Sequence, residues 1–252
     1  DVAVTIQDVE MDASLTPVSD DPQSDLRTTG GDGSIVVRTT NGGMTLKDGT
    51  ADADNTTISA NGSGNILVQA IGAGTFITSN ADVNSGTGHI TVKAAQSVLF
   101  TATADIRTAG SGTINVEAGT GSITQDDGSR FESVDGDVRL LAAVDVKLGG
   151  ITTNANASIT ATTGSIFDQG DTGGEDVIAD GLRLFAGIGV GELGGTVDPI
   201  DPIETLVTTV TARATSGGIS LLESDALKVD DVEVTVQVVQ MNATFNAVVD
   251  VT

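Results

Sequence analysis

The chain has 252 residues, with 35 acidic against 11 basic side chains and a net charge of −24, a balance that repels phosphate backbones and anionic lipid headgroups and sets aside nucleic-acid binding. Apolar residues make up 38%, enough for a continuous core, yet 32 are glycine, six are phenylalanine, and Trp, Tyr and Cys are absent. That mixture excludes disulfide frameworks and Cys-based metal sites, suits an exported protein, and favours a narrow interior of stacked small β-formers.

No run of about 18 apolar residues is present, so no spanning helix and no direct membrane insertion are expected. Opening at Asp1 without a charged-then-apolar leader, the sequence reads as a mature piece or an excised segment. In chain order, residues 1–32 read as an amino-terminal cap or the remnant of a preceding coil, with Val2-Ala-Val-Thr-Ile6 as its strand. From Gly33 to Thr39 a Gly-x-apolar-x-apolar-x-small template begins. It recurs at Gly64–Ala70, Gly88–Ala94, Gly112–Ala118 and Gly136–Ala142, with successive glycines 24 residues apart (88 − 64, 112 − 88, 136 − 112). Looser variants follow at Ser158–Thr163, Gly181–Ala186 and Val210–Ala214.

Alternation within each unit puts Ile66, Val68 and Ala70 on one face and Leu67 and Gln69 on the other, which is strand patterning. A second apolar run follows each template, at Met44-Thr-Leu46, Phe76-Ile77, Val98-Leu-Phe100, Ile123 and Ile166. A third precedes the next glycine, at Ile58, Val83, Ile106, Phe131, Ile151 and Val177-Ile178. Three short strands per repeat, separated by Gly, Asn, Asp, Ser and Thr, describe a three-sided coil. The expected fold is all-β, a right-handed parallel β-helix (β-solenoid) with three strands and about 24 residues per coil over residues 33–225. Stacking at about 4.8 Å gives eight coils a length of roughly 38 Å. Inward columns Ile66-Ile90-Ile114-Val138 and Ala70-Ala94-Ala118-Ala142 are expected, and the corner glycines are expected to supply positive φ. Two stretches leave the period and read as loop excursions, 168–180 and 187–204; residues 226–252, with Val232–Val238, read as a carboxy-terminal strand or cap.

Candidate chemistry is sparse. His89 occupies the slot held by Asn65, Thr113 and Asp137 in neighbouring repeats, a plain solvent-facing position, and with no second His the case for zinc or a His relay is weak. Carboxylates cluster as Asp20-Asp21 with Asp25, Asp48 with Asp52 and Asp54, Asp126-Asp127, Asp135 with Asp137, Asp171 with Glu175-Asp176, and Asp230-Asp231. None fits an established calcium signature, but Ca²⁺ tolerates many oxygen sets and remains open as the single possible cofactor; no catalytic, cofactor-binding or metal residue is assigned. Polysaccharide cleavage on a β-helix of the pectate-lyase kind needs an acid pair on an outward face. The outward columns Leu67-Thr91-Asn115-Arg139 and Gln69-Lys93-Glu117-Leu141 offer instead a Lys93–Glu117 ladder pair, so no enzyme is expected.

Units such as Gly112-Thr-Ile-Asn-Val-Glu-Ala-Gly-Thr-Gly-Ser-Ile123 and Ala155-Asn-Ala-Ser-Ile-Thr-Ala-Thr-Thr-Gly-Ser-Ile166 resemble the repeats of large bacterial exoproteins and filamentous-haemagglutinin-type adhesins. The resemblance covers about residues 33–225 and is one of repeat style. It implies an extracellular, cell-surface module of a prokaryote that mediates attachment to a protein or glycan ligand. A self-assembling fibre or sheath subunit with end-to-end association is the first alternative, and a polysaccharide lyase or hydrolase the second.

Overall fold

The computed structural model of the protein describes residues 2, 4–19, 23–51, 53–170, 174–194 and 201–251. Among these the fold is all-β, with no helix and with long parallel sheets. The template segments pair side by side in parallel: Ile35–Thr39, Ile66–Ala70, Ile90–Ala94, Ile114–Ala118, Val138–Ala142, Asn156–Ala161 and the second half of Val177–Ala186. Their register aligns Ile66 with Ile90, Ile114 and Val138, and Ala70 with Ala94, Ala118 and Ala142. All eight side chains are 2% exposed or less, so the alternation of apolar residues does fix which face is inward.

Two further ladders accompany this one. Short strands centred on Ile58, Val83, Ile106, Phe131, Ile151 and Val177 pair in parallel, and so do those at Met44–Leu46, Ile77–Ser79, Val98–Phe100, Ile123–Gln125, Val146–Leu148 and Ile166–Asp168. Side chains from all three ladders form one core, in which Phe100 meets Phe131 edge to face with ring centroids 4.8 Å apart. Each fully buried Ile or Phe contributes on the order of 1.5–3 kcal/mol.

The repeated glycines serve a purpose other than the expected positive φ. Gly64, Gly88, Gly112 and Gly136 are not among the residues with left-handed backbone. A Cβ on Gly112 would instead sit 2.6 Å from the Gly88 carbonyl oxygen, and the other three face the same clash. Close stacking of one repeat on the last therefore selects glycine here. Beside each, a hydroxyl of the next repeat donates to the glycine carbonyl: Ser85 to Gly64 at 2.8 Å, Thr108 to Gly88 at 2.8 Å, Ser133 to Gly112 at 2.7 Å and Thr153 to Gly136 at 2.9 Å. Hydrogen bonding of these otherwise buried acceptors offsets their desolvation.

The separation between paired residues is not constant. It is 31 residues from Arg38 to Gln69, 24 from Asn115 to Arg139 and 19 from Asp137 to Asn156. Late in the chain the link between ladders also shortens, from seven residues (Phe131 to Val138) to five (Val177 to Leu182). The corner then straightens, and Val177–Ala186 becomes one ten-residue strand that pairs with both Ile151–Thr152 and Asn156–Ala161. Consequently residues 177–180 of the first expected excursion are strand. The second contains the short strand Gly189–Val190 and an antiparallel bridge between Glu192 and Asp201, while Val197–Ile200 lie outside the described residues.

At the amino end, Thr5–Val9 and Leu15–Ser19 form an antiparallel hairpin with every strand residue exposed, and Leu26–Arg27 joins the second ladder beside Ile58–Ser59. At the other end, Val234–Val239 and Phe245–Asp250 form a second hairpin. It lies along the side of the first ladder, where a terminal strand or cap over the last edge was expected.

Overfilling an inward column tests this packing. Ala94→Trp is expected to lower the melting temperature by at least about 5 °C or to broaden the transition, while Val36→Trp on the exposed outer face leaves it nearly unchanged, by circular dichroism. Equal melting curves for both variants would overturn the inward assignment.

Candidate functional site

The outer side of the first ladder is where structure and sequence reading differ most. Thr91, Asn115 and Ser158 are fully buried, and Leu67 and Arg139 nearly so, although their alternation assigns them outward. The carboxy-terminal hairpin covers them. Backbone N–H groups of Thr235, Gln237 and Val239 donate to Asp137 Oδ2 (2.6 Å), Thr113 Oγ1 (2.9 Å) and Thr91 Oγ1 (2.9 Å), the first two directly before, and the third within, three successive ladder strands. Four extended residues span about 13 Å, which matches the diagonal of two ladder steps and two strand residues, about 12 Å, so the hairpin crosses obliquely. Asp250 accepts from Arg139 Nε (3.0 Å) and Ser158 Oγ (2.8 Å), and Asn65 Nδ2 donates to the Ala243 carbonyl. Val232, Val234 and Val236, of the hairpin and the residues leading into it, form a small apolar cluster of their own, against which Val248 packs.

His89 is consequently half-buried, where a solvent-facing position was expected. Its ring packs edge-on against Phe245 at 4.5 Å, and its Nδ1 accepts the Thr113 N–H at 3.1 Å, which leaves the neutral ring's proton on Nε2. Burial lowers its pKa. The hairpin thus consumes the column's polar groups; beside it Lys93 pairs with Glu117 at 2.5 Å and holds that carboxyl low against its own desolvation, with Asn115 and a 3.1 Å contact from Arg139 assisting.

On the second ladder, Arg107 is held by Asp82, Asp105 and Glu132, the last at 2.8 Å. It borders a shallow groove of about 460 Å³ that is also lined by Ser85, Ser133, Thr152 and Asn154. With three carboxylates on it, the guanidinium is an internal tie between repeats.

Two carboxylate groups draw together from distant sequence, each with its oxygens within 4.8 Å. Asp25, Asp48 and Asp54 form the first, where Arg27 already pairs with Asp54 at 3.0 Å; Asp20, Asp21 and Asp52 lie outside the described residues. The second joins Asp168, Asp176 and Glu204, whereas Asp171 lies outside the described residues. Asp176 is 2% exposed, its Oδ2 accepts the Glu204 N–H at 3.0 Å and its own N–H donates to the Glu204 carbonyl at 2.9 Å. Glu204 was not singled out in the sequence. The pairing of Val177 with Thr205 places it directly opposite Asp176, a relation readable only once the 28-residue step is known. Burial, then the charge of Asp168, pushes the Asp176 carboxyl up to about 9, which favours its protonated form or a bound cation at neutral pH. Three convergent oxygens suit part of a Ca²⁺ shell, with carbonyls and water completing six to eight ligands.

Two pH windows follow with opposite signs. The folded chain holds a proton on Asp176 that the unfolded chain has released, so in chelator the melting temperature should fall between pH 7 and 9, by up to about 1.4 kcal/mol per pH unit in stability. Asp176→Asn should flatten that slope, and added Ca²⁺ should raise the melting temperature more at pH 8.5 than at pH 6; a calcium effect equal at both would remove the site. His89 takes up its proton more readily when unfolded, so stability should drop as pH falls below about 6.5, and His89→Gln should abolish that drop. Compared with known proteins, the chain matches no family model, no curated protein and no solved structure.

Proposed function

We propose that the chain is a right-handed parallel β-helix, with three strands and roughly 24 residues per coil, that serves as a non-enzymatic structural and adhesive unit of a large repetitive protein outside a prokaryotic cell. One observation carries the reading: parallel ladders run on from Leu26 to Val229, with like side chains stacked at equivalent positions. A body built this way has a length set by its number of repeats and a side wall free to present loops, which is what a surface spacer requires. Right-handedness follows from the strong preference of parallel crossover connections. The haemagglutinin-type repeat style, the absence of cysteine and the net charge of −24 support an extracellular setting and a protein or glycan ligand.

The displayed element in this reading is the second expected excursion, 187–204, among whose described residues Glu192 and Asp201 are joined by an antiparallel bridge. A glycan and matrix-protein array should show binding by the full chain that disappears when residues 193–200 are replaced by a two-residue turn, with the melting temperature unchanged. Binding that survives the replacement assigns attachment elsewhere, and no binding on either array sinks the adhesive role. A second reading, end-to-end association, is favoured by the exposed apolar residues of the last strands, Leu222 at 55% and Val229 at 80%. Light scattering that grows with concentration and is abolished by Val229→Lys would select it.

A further inference from the structure

The two hairpins are copies of one another. Residues 1–20 align without a gap on residues 231–250, and ten of the twenty positions are identical: Asp1, Val2, Val4, Thr5, Gln7, Val9, Met11, Ala13, Val18 and Asp20 repeat as residues 230 further on. The backbones repeat too. Thr5 faces Ser19 and Ile6 faces Val18, as Thr235 faces Val249 and Val236 faces Val248. Both turns carry an alanine in the left-handed region, Ala13 at φ 64° and Ala243 at φ 63°, a conformation uncommon for a residue with a Cβ. Glu10 N–H bonds to the Ser14 carbonyl as Gln240 N–H bonds to that of Thr244, and Asp12 and Asn242 each accept the N–H two residues on.

Their surroundings differ completely. Val232, Val234, Val236 and Val239 are 4%, 0%, 0% and 2% exposed, while their counterparts Val2, Val4, Ile6 and Val9 are 71%, 52%, 59% and 67% exposed. The first hairpin therefore carries the apolar face and, at Thr5, Gln7 and Val9, the N–H row equivalent to the one with which the second grips the ladder, but among the described residues nothing covers them. This chain's own seat is taken by residues 232–250.

We propose that the amino-terminal hairpin is the strap of a preceding unit of this same fold in one polypeptide, and docks across that unit's outer ladder face as residues 232–250 dock across this one. The order is then ladder body, hairpin, ladder body, hairpin, with a period of 230 residues set by the two copies. The seat it requires is a row of side-chain oxygens matching Asp137, Thr113 and Thr91, flanked by a cation in the place of Arg139 to meet Asp20, which stands in sequence where Asp250 does. The inference deepens the reading of the chain as one unit of a repetitive protein but is independent of what that protein attaches to.

The test begins with the chain as it exists. Ile6→Asp should leave the melting temperature within about 1 °C, whereas Val236→Asp should lower it by at least about 5 °C. A second copy of residues 21–230 is then joined ahead of residue 1, so that the native hairpin follows a ladder body in the same register. Amide exchange at Thr5, Gln7 and Val9 should slow at least tenfold relative to the single chain, and Ile6→Asp should now destabilise the leading body. A parallel tandem chain carrying residues 231–250 in place of 1–20 supplies the reference protection. Protection in the reference with none at Thr5, Gln7 and Val9 overturns the proposal, as does an Ile6→Asp effect in the single chain equal to that of Val236→Asp. Array binding can fail while this exchange result holds, so the two readings are separable.

Discussion

Close approach of one repeat's backbone to the next is the constraint on which the rest depends. Parallel ladders at about 4.8 Å spacing satisfy the backbone between repeats, but at the turn into each template strand the next carbonyl comes nearer than a Cβ permits. Glycine at 64, 88, 112 and 136 admits that approach, and a Ser or Thr hydroxyl closes the acceptor. Once the turns nest, like residues fall into columns and close one continuous core of mostly small aliphatic side chains. The sparse Phe content is therefore a consequence of the stacking.

Charge is arranged around the same spacing. Neighbouring repeats put opposite charges opposite each other, as Lys93 with Glu117 and Arg107 with Glu132, so several of the few basic residues tie successive repeats. What remains is surplus carboxylate. Where the surplus is buried, at Asp176 beside Asp168 and Glu204, burial favours a proton or a cation on the Asp176 carboxyl. That site lies where the period has already lengthened to 28 residues, which fits the general rule that departures from a regular scaffold carry its chemistry.

Much of the ladder arrangement is legible in the sequence because strand alternation and a fixed glycine interval report burial directly: Ile66, Val68, Ala70 and their equivalents are inward, as their pattern states. Two things are not legible locally. The outward column Leu67-Thr91-Asn115-Arg139 is polar, as a solvent face should be, and only the docking of residues some hundred positions away turns it inward. The carboxylate triad likewise needs the register between Asp176 and Glu204, which follows from pairing and not from proximity in sequence. The glycines are readable as positions yet misleading as to cause, since backbone φ and clearance between repeats select the same residue.

Stacks in which each layer touches only its neighbours lose cooperativity with length, because stability is a sum of local terms and either end frays independently. The carboxy-terminal strap changes that arithmetic. Its hydrogen bonds go to side chains on or directly before separate strands, from Thr91 to Asp137, and Asp250 adds Arg139 and Ser158. No single one of these strands can detach without disturbing a segment its neighbours also hold. The middle of the molecule is thereby coupled beyond nearest neighbours and opens as a block, while the unstrapped strands at each end remain the places where unfolding starts.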